Sequence, residues 1–384
     1  MFILGVNISH HPSIALVEDG KLIYYMEDDR YNKNKEEEWL PGDMMRSLMD
    51  IVRYTRNLDH LIFSSYGKIN KLDNYFDYTD EKIIQDVKTN LGNYGITWGD
   101  AHYYWEHHLY HATNAFYASG FDEAAALVLD GGGHLFNDYI GLRESESMYK
   151  FTKKDGAELI KKVYTPGVDG CFNGDSTSSK PVLINDKYVL SATASCGGIF
   201  NSLIMVSGIS SAGKVMGTSP YGDADKACTD DWFIYDESTD TWVTDNRTIL
   251  NTYRRCYDDP KLNPQDAFGK QEFNLDTIAN LAKKAQDETR EHTIRLIRSL
   301  LEKVETKNVV MSGGYFLNCV NNYEYASEFP HINFYIDPVA HDGGTSSGAA
   351  MYLWHHVLNN SQPNQDQNVW QERESLTYNQ SVLV

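Results

Sequence analysis

Two passages of this chain share one grammar, and that constrains its fold more than any other feature. FILGVNI (2–8) and IALVE (14–18) are short apolar runs, and a turn at Asp19-Gly20 leads into LIYYMED (22–28). Much later, AAALVLDGGG (124–133) is followed by a polar turn and then by YIGLRES (139–145) and MYKFT (148–152). Each passage reads as strand, glycine-bearing turn, strand. The two are not alike enough to be called a repeat. The echo nevertheless fits an α/β chain of two related lobes with a ligand held in the cleft between them.

Length and composition remove several alternatives. A chain of 384 residues, 41% hydrophobic, is long enough for one large two-lobed domain. No apolar run reaches membrane-spanning length, and MFILGVNIS has no basic leader, so it reads as a strand and no membrane partner is expected. The five cysteines (Cys171, Cys196, Cys228, Cys256, Cys319) are scattered and form no C-x-x-C pair. That suits a reducing, cytoplasmic setting and speaks against a zinc-thiolate site or a disulfide framework. The net charge of -20 argues against bulk nucleic-acid binding.

Residues 152–190 are polar and read as loops and minor strands. Residues 274–305 carry the longest helical pattern, with Leu275, Ile278, Leu281, Ala282, Ala285, Thr289, Ile294, Ile297 and Leu301 on its inner face. A buried strand NVVM (308–311) follows, then Ser312-Gly313-Gly314 and another helix. The expected division is a first lobe over 1–122, a second over 123–358 and a polar tail over 359–384.

EHHLYHATNAFYASGF (106–121) reads as a helix ended by Gly120, and it opens with three histidines. His107 and His111 are four residues apart and share a helix face, a spacing that lets two imidazoles reach one metal ion. An isolated H-x-x-x-H is more often a pair of surface histidines. Here two carboxylates accompany it: Asp130 at the end of LVLD before three glycines, and Asp342 in HDGGTSSGAA. Two nitrogens and two oxygens suit Fe2+, Mn2+ or Zn2+. Glycine-bearing loops at 312–314, 340–350 and 210–222 are candidate phosphate cradles, although each alone is commonly only a turn.

These stretches together resemble a known family. NISHHPSIALVEDGKL (7–22), EDDR (27–30) with Lys35, the histidine helix, AAALVLDGGG, GKVMGTSPYG (213–222), VVMSGGYFLNCVNN (309–322) and DPVAHDGGTSSGAA (337–350) run in the order found in the O-carbamoyltransferases of nodulation-factor and antibiotic biosynthesis. The resemblance is to the N-terminal catalytic domain of those enzymes. That domain is related to the threonylcarbamoyl-transfer protein of tRNA modification and has the actin/sugar-kinase fold.

The resemblance implies roles. His107, His111, Asp130 and Asp342 match the holders of a divalent metal, usually iron. Ser312, Gly313, Gly314 and Asn318, with Gly343 and Gly344 of the next loop, fall near the adenylate. Arg30 and Lys35 match basic positions beside the carbamoyl or phosphate group, and His10 matches a histidine facing the reaction, a candidate general base. The implied activity is metal-dependent transfer of a carbamoyl group from carbamoyladenylate to a hydroxyl of a small-molecule or nucleoside-type acceptor, with ATP and carbamoyl phosphate upstream. There are departures: His10-His11 replaces the usual His-Asp, Lys33 stands at an arginine position, and Glu36-Glu37-Glu38 follows where a histidine is common. The arginine-rich stretch that marks the family's C-terminal, carbamoyladenylate-forming domain does not occur before Val384. A fragment, a separate activating protein or lost activity each fit that. Rival readings are an actin-like small-molecule kinase and a nucleotide-binding scaffold, neither of which needs the histidine pair.

Overall fold

The computed structural model describes residues 1–33, 46–66, 80–104, 106–136, 141–166, 180–262 and 274–360. Lys35, Cys171, the acidic run 36–38 and the tail from 361 lie outside the described residues. The first apolar runs form β1 (Phe2–Asn7), β2 (Ser13–Glu18) and β3 (Lys21–Glu27), joined antiparallel. Asp19 and Gly20 make the two-residue turn between β2 and β3, both at positive φ (48° and 81°), which matches the twist of a hairpin. β4 (Asn57–Ser64) and β5 (Thr97–Tyr103) then add in parallel, so the first sheet runs β3-β2-β1-β4-β5.

The second passage builds the same arrangement. β6 (Glu123–Leu129), β7 (Arg143–Thr152) and β8 (Gly156–Thr165) are antiparallel neighbours, while β13 (Asn308–Ser312) and β14 (Asn333–Ile336) are parallel additions. The inner part of the second sheet thus reads β8-β7-β6-β13-β14, the order of the first. β10 (Tyr188–Leu190) and β9 (Val182–Ile184) extend its edge, and β11 (Phe233–Asp236) with β12 (Thr241–Thr244) form a separate hairpin. Duplicated topology of this kind is the actin/sugar-kinase-like α/β architecture that the sequence pattern and resemblance point to.

The histidine helix spans His107–Ser119 and stops at Gly120, in the left-handed region at φ 74°. It packs on β6 and β13 of the second sheet. Behind it lies the closing helix, Thr345–Tyr352, which packs on β1, β2 and β4 of the first sheet. The two helices touch at Gly348, where a Cβ would stand 1.9 Å from the Tyr110 carbonyl oxygen. Only glycine permits that approach. Their shared core contains Ile3, Tyr110, Phe116, Val128, Val310 and Leu353. The outer face of the first sheet is covered by the Asp80–Asn93 helix through Ile83, Val87 and Leu91. The outer face of the second is covered by a long helix, Leu275–Lys303, and a cysteine-led helix, Cys196–Ser207.

Several sequence expectations change. The strand read after the polar turn is β7, which begins at Arg143 and takes in MYKFT, while Tyr139 and Ile140 lie outside the described residues. The segment read as loops and minor strands contains β8, a full ten-residue strand. Its pattern is disguised by Lys161 and Lys162, and Lys162 lies buried because it pairs with Glu144 on β7. Leu275 is 52% exposed, since the first turn of the long helix stands clear of the core. Ser312-Gly313-Gly314 does not lead straight into an α-helix. A 3-10 turn, Gly314–Leu317, intervenes, and the helix Cys319–Glu328 starts only after Asn318. The small-residue segment 210–222 is itself largely helical, over Ala212–Thr218. No single helix among the described residues is long and apolar enough to cross a membrane. One bent pair, Cys196–Ser207 with Ala212–Tyr221, meets the length and composition alone, and its first helix is mostly buried in the core.

Candidate metal centre between the lobes

The fold brings His107, His111, Asp130 and Asp342 together. One donor atom from each lies within 4.8 Å of the others, and all four residues are buried. Each reaches the cluster by a different route. The histidines are one turn apart on their helix, Asp130 follows the last residue of β6, and Asp342 sits in the turn between β14 and the closing helix.

The spacing suits a shared ion. The two Nε2 atoms are 3.2 Å apart, His107 Nε2 is 3.5 Å from Asp342 Oδ1 and 3.7 Å from Asp130 Oδ2, and His111 Nε2 is 3.6 Å from Asp342 Oδ1. Donors about 2.1 Å from a tetrahedral ion stand about 3.4 Å from one another. Charge agrees as well. Burial disfavours a proton on His107, but the Asp342 and Asp130 carboxylates outweigh it and raise its pKa to about 10. Burial also opposes ionising Asp342 and Asp130, yet the imidazoles hold both carboxyls below the usual range. Two buried carboxylates and two imidazoles form a well of negative charge that a divalent cation balances.

Neighbouring groups aim these donors. Ser312 Oγ lies 3.3 Å from His111 Nδ1, which leaves Nε2 to face the cluster, and the Gly314 amide donates to Asp130 Oδ1 at 3.0 Å. His107 Nδ1 is buried without a hydrogen-bond partner. The N-cap of the histidine helix, Glu106, makes no side-chain capping bond. Glu144 of β7 does that work from across the sheet: its Oε2 accepts from the amides of His108 (3.1 Å) and His134 (3.2 Å). His108 turns away from the cluster, with Nδ1 2.8 Å from Ser147 Oγ.

The glycine loops are engaged within the fold. The Gly313 amide donates to the Ala340 carbonyl, and the Gly314 amide to Asp130, so the row of free amides expected at a helix start is not what these residues form. Gly313 stands at φ 100°, and a Cβ there would meet the Leu129 carbonyl oxygen at 2.2 Å. The Asn318 side chain exchanges hydrogen bonds with Gln286 and caps the following helix. The Gly343 and Gly344 amides donate to His341 Nδ1 and to the His341 carbonyl oxygen.

Beside the cluster runs a row of imidazoles. The His10 and His11 ring centroids are 4.3 Å apart, and those of His11 and His341 are 4.2 Å apart. Burial, followed by neighbouring imidazoles, lowers the pKa of His11 to about 4, with His11 held at φ 55°. Burial lowers that of His341 to about 4 as well, so both rings are neutral at pH 7. Glu27 anchors the far side: Oε1 accepts from Tyr25 (2.9 Å) and faces His341 Nε2 (3.5 Å), while Oε2 pairs with Arg30 (3.2 Å). Arg30 also contacts Asp29 and leaves its guanidinium largely open to solvent. His10 and Arg30 therefore lie around one wall. His11, His341 and Glu27 join them there without having been singled out from sequence. His341 had a signal, standing immediately before the aspartate of H-D-G-G.

Comparison with known proteins gives the family and the fold. The carbamoyltransferase N-terminus family description matches residues 2–351. The sll1178 protein of Synechocystis sp., described as uncharacterized, is 23% identical over 398 aligned positions, which cover 93% of this chain and 58% of that protein. Among solved structures, full-length HypF in a phosphate- and nucleotide-bound form superposes with a TM-score of 0.53 at 14% identity, over 92% of this chain and 55% of HypF. HypF of T. kodakarensis gives 0.53 at 13% identity, over 94% and 48%. These likenesses show the fold, and the chain spans about half the length of the relatives it matches. With the family match running across nearly all of both lobes, this chain belongs to the carbamoyltransferase N-terminus family.

Proposed function

We propose that the chain carries out metal-dependent transfer of a carbamoyl group from carbamoyladenylate to a hydroxyl of a small-molecule or nucleoside-type acceptor. The observation that carries this reading is the convergence of His107, His111, Asp130 and Asp342 beside the wall of His10, His11 and His341, in a chain of this family. A divalent ion, Fe2+ in the first instance and Mn2+ or Zn2+ otherwise, would supply Lewis acidity toward the carbamoyl or phosphate oxygen. Ser312 and Gly314 keep the donors His111 and Asp130 oriented, so no reorganisation is needed as charge develops. His10, half-buried at the end of the row, takes the proton of the attacking hydroxyl. Arg30, exposed and held by Glu27, offers its remaining donors to the adenylate phosphate, and Lys35 is assigned to the same group from the family resemblance alone. The loops 312–314 and 342–344 border the adenylate by their position, since their glycine amides are committed within the fold. Carbamoyladenylate is formed from carbamoyl phosphate and ATP in a separate pocket, by another domain or protein, in the cytoplasm.

The test supplies the purified chain with Fe2+, carbamoyl phosphate, ATP and a separate activating protein, and follows candidate hydroxyl acceptors by mass spectrometry for the carbamoyl increment. Transfer is expected with the parent and not with His111→Ala, which should also retain less metal. Transfer that is equal in the two, at equal metal content, would remove the reading. Phosphorylated acceptor in place of carbamoylated acceptor would establish the kinase alternative.

A further inference from the structure

A second set of metal-type donors lies in the core of the second lobe, apart from the interlobe cluster. Glu146 comes from β7, Cys196 is the first residue of the Cys196–Ser207 helix, and His292 is in the second half of the long helix. One candidate ligand atom from each lies within 4.8 Å of the others, and all three residues are buried. The surroundings are apolar: Leu129, Ile199, Phe200 and Leu296 belong to the same core. His292 Nε2 is 2.8 Å from Glu146 Oε1, and the Phe233 ring lies flat against the imidazole, 4.2 Å away and tilted by 9°. Glu146 Oε2 and His292 Nδ1 are nevertheless buried with no hydrogen-bond partner. Unsatisfied polar atoms in an apolar core are costly and call for a ligand.

The donor set says which ligand. Sulfur, nitrogen and oxygen in one small volume match the preferences of Zn2+ and Co2+. Glu146 also lines a pocket of about 60 Å³ bordered by Lys161, Asp240, Trp242 and Arg295. The absence of a C-x-x-C pair excludes only thiolates adjacent in sequence, whereas these three donors meet through the fold.

We propose that Glu146, Cys196 and His292 form a second transition-metal site with one coordination position left to water. Binding is coordination without redox change: the thiol proton leaves to solvent and sulfur donates as thiolate. The site lies directly behind the turn that carries Asp130. Glu146 pairs with Leu129, the residue before Asp130, and Gly197, next to Cys196, packs so closely that a Cβ would be 2.7 Å from the Gly131 Cα. An ion here clamps the second sheet to its two outer helices and braces that turn.

The experiment loads the metal-stripped chain with Co2+, removes free ion and records metal content and absorption. The parent is expected to hold two ions per chain and to show a sulfur-to-cobalt charge-transfer band in the near ultraviolet. Cys196→Ser should lose that band and one ion. His111→Ala should lose the other ion and keep the band, because the interlobe cluster contains no sulfur. A band that persists in Cys196→Ser would mean another cysteine binds and would overturn the proposal. Should Cys196→Ser not fold, cobalt-edge X-ray absorption of the parent decides: a sulfur scatterer near 2.3 Å supports the site, and a shell of nitrogen and oxygen alone refutes it. Failure of His111→Ala to lose an ion would count against the interlobe cluster and leave this site standing.

Discussion

Asp337 shows how much one buried carboxyl can shift the pH dependence of this chain. Burial raises its pKa to about 6, opposed by the Val339 amide, which donates to Oδ1 at 2.8 Å, and by the Asn114 side chain. The folded chain keeps this proton up to about pH 6, while the unfolded chain releases it near 3.8. Its contribution is therefore fully present below about pH 4 and is lost as pH rises through 6. A shift of about two units corresponds to roughly 3 kcal/mol. Asp337→Asn removes the ionisation, and Asn114 can turn its amide to present oxygen. We expect the variant to melt higher than the parent at pH 8 and the two to converge at pH 4. Thermal unfolding across that range at fixed ionic strength measures it, and a difference independent of pH would show that Asp337 is not protonated in the fold. At this scale the convergence of His107, His111, Asp130 and Asp342 was legible because their signals are local: two histidines one turn apart, and carboxylates immediately before glycine loops. The hydrogen bonds of the Gly313 and Gly314 amides within the fold were not legible, because their acceptors, the Ala340 carbonyl and Asp130, lie far away in sequence.

Between elements, the histidine helix owes its placement to a charge on β7. Glu144 accepts from the His108 amide, and the buried Lys162 ammonium of β8 neutralises it. Burial alone would raise the Glu144 pKa, yet Lys162 leads the groups that lower it to about 2, so the carboxylate is charged at every ordinary pH. Lys162→Met leaves that charge without its partner and should cost about 3–5 kcal/mol. Adding Glu144→Gln removes the stranded charge and keeps an oxygen for the His108 amide, so the double variant should recover part of the loss. Urea unfolding of the parent, both single variants and the double variant completes the cycle. A Lys162→Met variant as stable as the parent would show that the pair does not anchor the helix. The same pair explains why β8 escaped the sequence reading. A lysine at an inward position breaks the apolar alternation by which strands are recognised, and its partner is 18 residues away. β1, β2 and β6 carry uninterrupted apolar runs and were plain.

Across the whole molecule, the interlobe cluster gathers residues from the second sheet, from the turn before the closing helix and from the helix between the sheets. Asp130 belongs to the second sheet, Asp342 leads into a helix packed on the first, and the histidines lie on the helix between them. The apolar pattern of two strand passages made the duplicated sheets legible. It could not show that the histidine helix rests on the second sheet while the closing helix returns to the first, because that crossing is set by long-range packing at contacts such as Gly348 on Tyr110. An ion held by all three segments binds only when both lobes are in place, so it should stabilise the native state by mass action, about 2.7 kcal/mol when free ion is 100 times its Kd. In a chain this long, that amounts to a rise of several degrees in Tm. Mn2+ is the suitable probe, because it prefers nitrogen and oxygen donors and leaves a thiolate site largely empty. Titrating Mn2+ into chelator-treated protein should raise Tm in the parent and leave His111→Ala unchanged. An equal rise in the variant would mean that the ion binds elsewhere and that the four residues do not act as a link between the lobes.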